Sequence, residues 1–140
     1  MARYRKVIVI GLDGMEPKIV EPMIQAGELP NLGKIRQQGG YARVNTTYPA
    51  QTPVAWSTFA TGTNPGGHGI FDFLSRDPQT YLPILALSRY EQKNPFVPAR
   101  VMNNRRGTAI WDVLTQAGIP STVIRCPCTY PPDPIKGRLL

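Results

Sequence analysis

The chain has one histidine, two cysteines and no apolar run of membrane-spanning length. His68 alone cannot furnish a zinc site built from several histidines. Cys126 and Cys128 flank Pro127, a spacing that differs from the two-residue gap of zinc and redox motifs, so we expect reduced, half-buried thiols. The apolar run near the start ends at Asp13, too early for a signal-peptide core or a membrane span. These features predict a cytoplasmic protein.

Acidic residues are also scarce, with nine against sixteen basic ones and a formal net charge of +7. This excess would suit anionic partners. The basic residues are nevertheless spread out, without a basic helix or the aromatic interleaving of a nucleic-acid surface. We therefore predict no nucleic-acid or membrane partner and a solvated basic surface, with a phosphate grip by Arg105 and Arg106 as the alternative. The basic residues concerned are Arg3, Arg5, Lys6, Arg89, Lys93, Arg100, Arg105 and Arg106.

With 140 residues, 41% of them hydrophobic, the chain can bury the core of a single domain. Apolar and β-branched runs predict strands, and apolar residues at helical spacing between proline and glycine signals predict helices. This alternation predicts a three-layer α/β/α fold with a mostly parallel sheet. The predicted strands cover residues 7–10, 41–47 and 121–124. The predicted helices cover residues 17–26, 30–38, 54–61 and 108–117.

In two stretches the apolar residues show no clear helical or strand periodicity. Residues 70–106 are predicted to be an irregular excursion over the surface. The tail is turn-rich, and an apolar segment begins at its end, so we expect residues 1–140 to be the N-terminal portion of a single, truncated catalytic domain.

Asp13 lies between Gly11 and Gly14, which permit a tight turn beside a ligand. A carboxylate at the end of a buried strand is a good ligand for zinc, manganese or magnesium. The structural alternative is an aspartate that caps the helix beginning near Glu16 or closes a turn. The residues alone favour neither.

Thr52 precedes Pro53, a pattern typical of a helix N-cap followed by a proline in the first turn. Backbone N–H groups at such a helix start attract phosphate. A threonine hydroxyl is a poor nucleophile at neutral pH, so catalysis would require a metal ion or a base. On the residues alone, a simple cap is the stronger interpretation.

The remaining candidates favour structural roles. His68 lies in a glycine-rich loop without a nucleophile elbow or a P-loop lysine, so we expect it to brace the loop. Several aromatic residues could line a substrate pocket, but we expect them to form the core. They are Trp56, Phe59, Phe71, Phe73 and Trp111.

Four segments, in this order, resemble the type I phosphodiesterase/nucleotide pyrophosphatase family of the alkaline phosphatase superfamily. They are residues 7–15 (VIVIGLDGM), 29–39 (LPNLGKIRQQG), 48–70 (YPAQTPVAWSTFATGTNPGGHGI) and 108–137 (TAIWDVLTQAGIPSTVIRCPCTYPPDPIKG). The resemblance implies an alkaline phosphatase-like α/β/α fold and two divalent metal ions, commonly zinc.

The same resemblance implies a hydrolase of phosphate mono- or diesters. By position, Asp13 would bind a metal, and Thr52 would be a metal-bound nucleophile that forms a phospho-threonine intermediate. His68 matches a family histidine that does not bind metal, and the other ligands would lie downstream. The expected partner is a small phosphate-ester substrate; a phosphomutase or a non-catalytic binding module are the alternatives.

Overall fold

The computed structural model describes residues 6–140, so Arg3 and Arg5 of the basic excess lie outside the described residues. The chain divides into two compact units, Met1–Asn45 and Thr46–Leu140. No helix within residues 6–140 combines the length and the apolar character that crossing a membrane requires.

The first unit contains helices α1 (Pro17–Gln25) and α2 (Pro30–Gln38). A proline lies in the first turn of each helix, where a missing N–H costs no helical hydrogen bond. Gly27 follows α1 in the left-handed conformation, with φ at +79°. Both helices therefore form where the sequence predicts them.

An exposed polar cluster joins α1 to the segment that follows α2. Arg43 pairs with the carboxylate of Glu21, and Tyr41 donates a hydrogen bond to it at 2.8 Å. The hydrogen bond from Arg43, and then that from Tyr41, lower the pKa of Glu21 to about 2. This cluster ties the end of the first unit to α1.

The strands predicted at residues 7–10 and 41–47 are wrong. Residues 7–10 and 41–47 adopt no regular structure, and the side chains of residues 7–10 are 67–84% exposed. A buried strand needs neighbouring strands to accept its backbone hydrogen bonds and layers to cover both faces. Within residues 6–140, no strand pairs with either segment.

The second unit begins with α3 (Thr52–Thr61) and the four-residue α4 (Pro65–His68). Gly62 and Gly69 follow them in the left-handed conformation that ends many helices. Asn64 caps α4, with its side-chain oxygen accepting the Gly67 N–H at 3.1 Å.

Two antiparallel hairpins follow, so the prediction of an irregular excursion over residues 70–106 is wrong. Strands β1 (Leu74–Arg76) and β2 (Pro83–Leu85) form the first hairpin, with Ser75 opposite Ile84. Strands β3 (Ser88–Glu91) and β4 (Arg100–Asn103) form the second, with Arg89 opposite Met102.

The chain then forms α5 (Ile110–Gln116), β5 (Ser121–Val123) and β6 (Gly137–Leu139). Strands β5 and β6 pair in parallel, with Thr122 opposite Arg138. The described residues thus form three two-stranded sheets, two of them antiparallel. They do not form the predicted three-layer parallel sheet, although a parallel pair does occur at the predicted strand 121–124.

The core of the second unit lies between α3, α5 and β5. Ala60, Ala109 and Trp111 are buried together. Several partly buried side chains pack against them, namely Val123, Cys126, Ile135 and Leu139. This core fixes α3, and with it Thr52, against the rest of the unit.

Candidate functional site

Asp13 lies in the first unit, in a turn with Gly14, whose φ is +68°. The residue is exposed. The side chain that caps α1 is that of Glu16, which accepts the Lys18 N–H at 3.1 Å. The capping alternative for Asp13 is therefore wrong, and the turn position matches the other structural alternative.

Thr52 lies in the second unit as the first residue of α3, and it is half-buried. The N-cap of α3 is Gln51, so the prediction that Thr52 is the cap is wrong by one residue. The carbonyl of Gln51 accepts the N–H groups of Val54 and Ala55 at 3.0 and 2.9 Å. Because Pro53 has no N–H, these bonds leave no free donor at these three positions for a phosphate.

Asp13 and Thr52 belong to different compact units, and each is described within its own unit. Between them they offer one carboxylate and one hydroxyl. No three histidine, cysteine, aspartate or glutamate side chains within residues 6–140 form a metal-binding group. A zinc site usually takes three or four protein ligands, so the described donor set does not fit a bound metal ion by itself.

His68 ends α4 and is completely buried. Its Nδ1 accepts the Ile70 N–H at 3.1 Å, and its Nε2 lies 2.9 Å from the hydroxyl of Thr58 on α3. The imidazole thus links α3 to the loop after α4, which is the bracing role that the sequence favours. Burial first, and then the charges of Arg105 and Arg106, lower the pKa of His68.

Arg105 and Arg106 have different surroundings. Arg106 is exposed, and its Nη2 donates to the Gly66 carbonyl at 3.3 Å. The side chain of Arg105 is only 5% exposed and pairs with Asp133 at 3.0 Å. The prediction of a solvated surface is therefore wrong for Arg105, whose guanidinium lies 5.1 Å from the ring centroid of Trp111.

Asp133 is the residue whose role the sequence does not reveal. Its carboxylate accepts hydrogen bonds from the Arg105 guanidinium and, at 2.8 Å, from the Trp111 indole. It lies in a proline-rich stretch that predicts only a turn, and nothing in the spacing points to either partner. Asp133 fastens the loop between β5 and β6 to the core.

The aromatic residues divide between core and surface. Trp111 is 2% exposed and confirms the core prediction. Phe59, Phe71 and Phe73 are about half exposed, so for them the prediction is wrong. Trp56 is half-buried, and its ring meets that of Phe59 edge to face at 5.8 Å.

Both cysteines are unbridged and half-buried, as predicted. Burial raises the pKa of the Cys126 thiol and, with a contribution from Cys126, raises that of Cys128 to about 11. The nearby Arg105 opposes this shift without cancelling it. Both thiols are therefore protonated at neutral pH and are poor nucleophiles.

Comparison with known proteins places this arrangement in a family. The family model described as type I phosphodiesterase / nucleotide pyrophosphatase matches residues 7–137, a range that contains Asp13, Thr52 and His68. No curated protein and no solved structure matches the chain. Because the family model spans most of the sequence, the chain belongs to the type I phosphodiesterase/nucleotide pyrophosphatase family.

Proposed function

We propose that this chain contributes to a metal-dependent hydrolase of phosphate mono- or diesters, with Thr52 as its nucleophile. The observation that carries the proposal is the family match over residues 7–137. The position of Thr52 supports it, because a side chain in the first turn of a helix is held in place by the core behind that helix. Val54 and Ala60 of α3 are both buried, which anchors the helix.

The proposed reaction has two steps. The Thr52 Oγ1 attacks phosphorus, the P–O bond to the alcohol breaks, and the alcohol leaves with a proton. Water then attacks the phospho-threonine, which releases phosphate or its monoester and returns the proton to Thr52. Such a covalent route divides one difficult displacement into two easier ones.

Metal dependence is part of the proposal, since the family generally uses divalent metals. Asp13 and Thr52 are the two oxygen donors that this chain would contribute, and the other ligands would come from outside the described residues. A bound divalent ion, for which zinc is our choice, would lower the pKa of the threonine hydroxyl. The chain's own part is to present that hydroxyl at the start of α3.

We expect the 140 residues alone to be inactive, so the test is hydrolysis of an aryl phosphodiester and an aryl phosphomonoester by a protein that also carries the remaining metal ligands, and by its Thr52→Ala variant. We expect turnover to fall by at least ~10³-fold, because water replaces a missing covalent nucleophile poorly. Substrate binding should change little.

Thr122→Val is a matched control, since Thr122 is exposed on β5 and lies outside the proposed site. It should keep native activity. Native activity in Thr52→Ala would show that Thr52 takes no part in the chemistry.

Labelled-water experiments distinguish the alternative function, a phosphomutase, which would transfer the phosphoryl group without incorporating solvent oxygen.

A further inference from the structure

A cleft of about 530 Å³ opens beside α3 in the second unit. Its wall is mainly apolar, and two exposed aromatic side chains contribute to it. No residue that lines the cleft carries a charge. The cleft is open and shallow, so it would cover one face of an uncharged ligand group with a flat apolar body. The side chains that line it are Thr47, Tyr48, Thr58, Thr63, Asn64, Pro65 and Phe71.

The hydroxyl of Thr58 is oriented by His68. The Nδ1 of His68 accepts the Ile70 N–H, so this nitrogen carries no hydrogen in the neutral ring. The hydrogen must then be on Nε2, which donates to Thr58 Oγ1 at 2.9 Å. The lowered pKa of His68 keeps the ring in this neutral form at physiological pH.

Thr58 therefore accepts from His68 and keeps its own hydrogen available for another acceptor. The other two threonines that line the cleft already donate their hydroxyl hydrogens within the protein. Thr47 donates to the Pro49 carbonyl at 2.9 Å. Thr61 donates to the Ser57 carbonyl at 2.7 Å, so in its 2.9 Å contact with Thr63 the hydrogen comes from Thr63. Within residues 6–140, no acceptor takes the hydrogen of Thr58, and Thr58 is one of the residues that line the cleft.

Resting on the proposed function, we propose that this cleft is the subsite for the alcohol part of the substrate, an uncharged aryl group with a hydrogen-bond acceptor. Tyr48 and Phe71 hold the ring, and Thr58 donates to the acceptor. His68 is a positioning residue that acts through Thr58.

Thr58 and the proposed nucleophile lie on the same helix. Thr58 follows Thr52 by six residues, which is about 9 Å along a helix. The two side chains also lie about 120° apart around the helix, so a para-substituted phenyl ester with its phosphorus at Thr52 has to follow the helix surface to reach Thr58. The subsite and the nucleophile thus belong to one helix and one buried core.

Binding measurements test the subsite without any need for turnover. The probes are 4-acetylbenzylphosphonate and 4-isopropenylbenzylphosphonate, which share a shape and a stable P–C bond but differ in one acceptor oxygen. Titration calorimetry with the native protein should give about tenfold tighter binding of the acetyl compound, as one satisfied hydrogen bond predicts. Equal affinities would overturn the proposal.

Variants assign the preference to Thr58. Thr58→Val should reduce the affinity ratio to about one, Thr58→Ser should restore it, and the exposed Thr122→Val should leave it unchanged. Phe71→Ala should weaken both probes to a similar extent. A native ratio that persists in Thr58→Val, or native affinities in Phe71→Ala, would contradict the subsite. The native ratio and Phe71→Ala decide the matter even if Thr58→Val fails to fold.

The outcomes for the two proposals can be separated. Thr52→Ala should keep the affinity ratio while losing turnover. A Thr58-dependent ratio in a protein that hydrolyses no phosphate ester would support the cleft and contradict the hydrolase. Hydrolysis of phosphate esters together with an affinity ratio of one would support the hydrolase and contradict the cleft.

Discussion

The buried imidazole of His68 joins two helices through hydrogen bonds that require its neutral form. A second proton would be added at Nδ1, where it would face the Ile70 N–H that this nitrogen now accepts. Protonation therefore opposes both the burial of the ring and the bond that fixes its tautomer. The same feature that orients Thr58 makes the second unit sensitive to acid.

We predict a loss of stability in mild acid that depends on His68. Its folded-state pKa lies below the ordinary 6.5, so the unfolded state binds the proton more readily. The stabilising contribution of neutral His68 to the free energy of unfolding is fully present above pH 6.5. It is lost as the pH falls from there through the lowered folded-state pKa. Denaturant unfolding across this range should show the decline.

His68→Gln is the control for this decline, because the chain has no other histidine. The variant should be less stable than the native protein at pH 7, and its stability should change less between pH 7 and pH 5. An unchanged slope would show that other groups cause the decline.

In a protein that also carries the remaining metal ligands, Asp13→Asn should weaken metal binding without affecting the fold. The residue is exposed in a turn, where an amide of the same size can be accommodated, whereas an amide is a much weaker metal ligand than a carboxylate. Metal content measured after equilibration with zinc should fall in the variant, and its melting temperature should stay within a few degrees of the native value. Unchanged metal stoichiometry would contradict the assignment.

At the scale of helices and strands, the parallel pair β5–β6 depends on one glycine. Gly137 has φ at +142°, and a Cβ atom there would clash with the Ser121 carbonyl oxygen. A side chain at this position cannot coexist with the observed register. Glycine therefore permits the close approach of the two strands.

Gly137→Ala should destabilise the second unit by about 2 kcal/mol or more, because both strain and a steric clash must be relieved. Gly40→Ala is a matched control, since nothing lies within 4 Å of its would-be Cβ and its backbone is not left-handed. It should change stability by less than about 0.5 kcal/mol. Chemical denaturation measures both, and equal effects would refute the role of Gly137.

The elements that the sequence predicts correctly are those with local signals. Helices α1, α2 and α5 show helical spacing of apolar residues, with proline or glycine in the first turn or shortly after the last, and β5 has a β-branched run. The start of α3 is displaced by one residue because threonine and proline suit both the cap and the first turn. Local chemistry thus fixes most helix bounds here.

The hairpins escape prediction for a physical reason. The residues of β1 and β2 are all exposed, so these strands lack the alternation of apolar and polar residues that a half-buried strand shows. Their turn is held locally, with the Asp77 carboxylate accepting the Gln79 N–H at 2.8 Å. Residues 7–10 show the opposite error, in which a strand is predicted but does not form. An apolar run favours a buried strand, but it does not specify which strand pairs with it.

Only part of the candidate site could be predicted from the sequence. The family resemblance, and not spacing, singles out Asp13 and Thr52, and their roles stay predictions. The bracing role of His68 could be predicted from its loop. Its partner Thr58 could not, because that contact spans ten residues and depends on how α3 packs against α4.

At the scale of the whole molecule, the exposed apolar segment at residues 7–10 predicts self-association of the purified 140-residue chain. Light scattering over a range of concentrations should show a rising mean mass. The double substitution Ile8→Lys and Ile10→Lys should reduce it, because charge on this segment opposes strand pairing and apolar contact. A native chain that stays monomeric at all concentrations would contradict this prediction.

The central claim is that Thr52 carries the phosphoryl group during turnover. The most direct measurement uses a protein that carries all the metal ligands: rapid acid quenching with an aryl phosphodiester, followed by mass spectrometry of the peptide that contains Thr52. We predict a phosphorylated peptide with the modification on Thr52, which forms with substrate and is absent from Thr52→Ala. Hydrolysis that proceeds with no phosphorylated Thr52 at any quench time, and equally well in Thr52→Ala, would contradict the account.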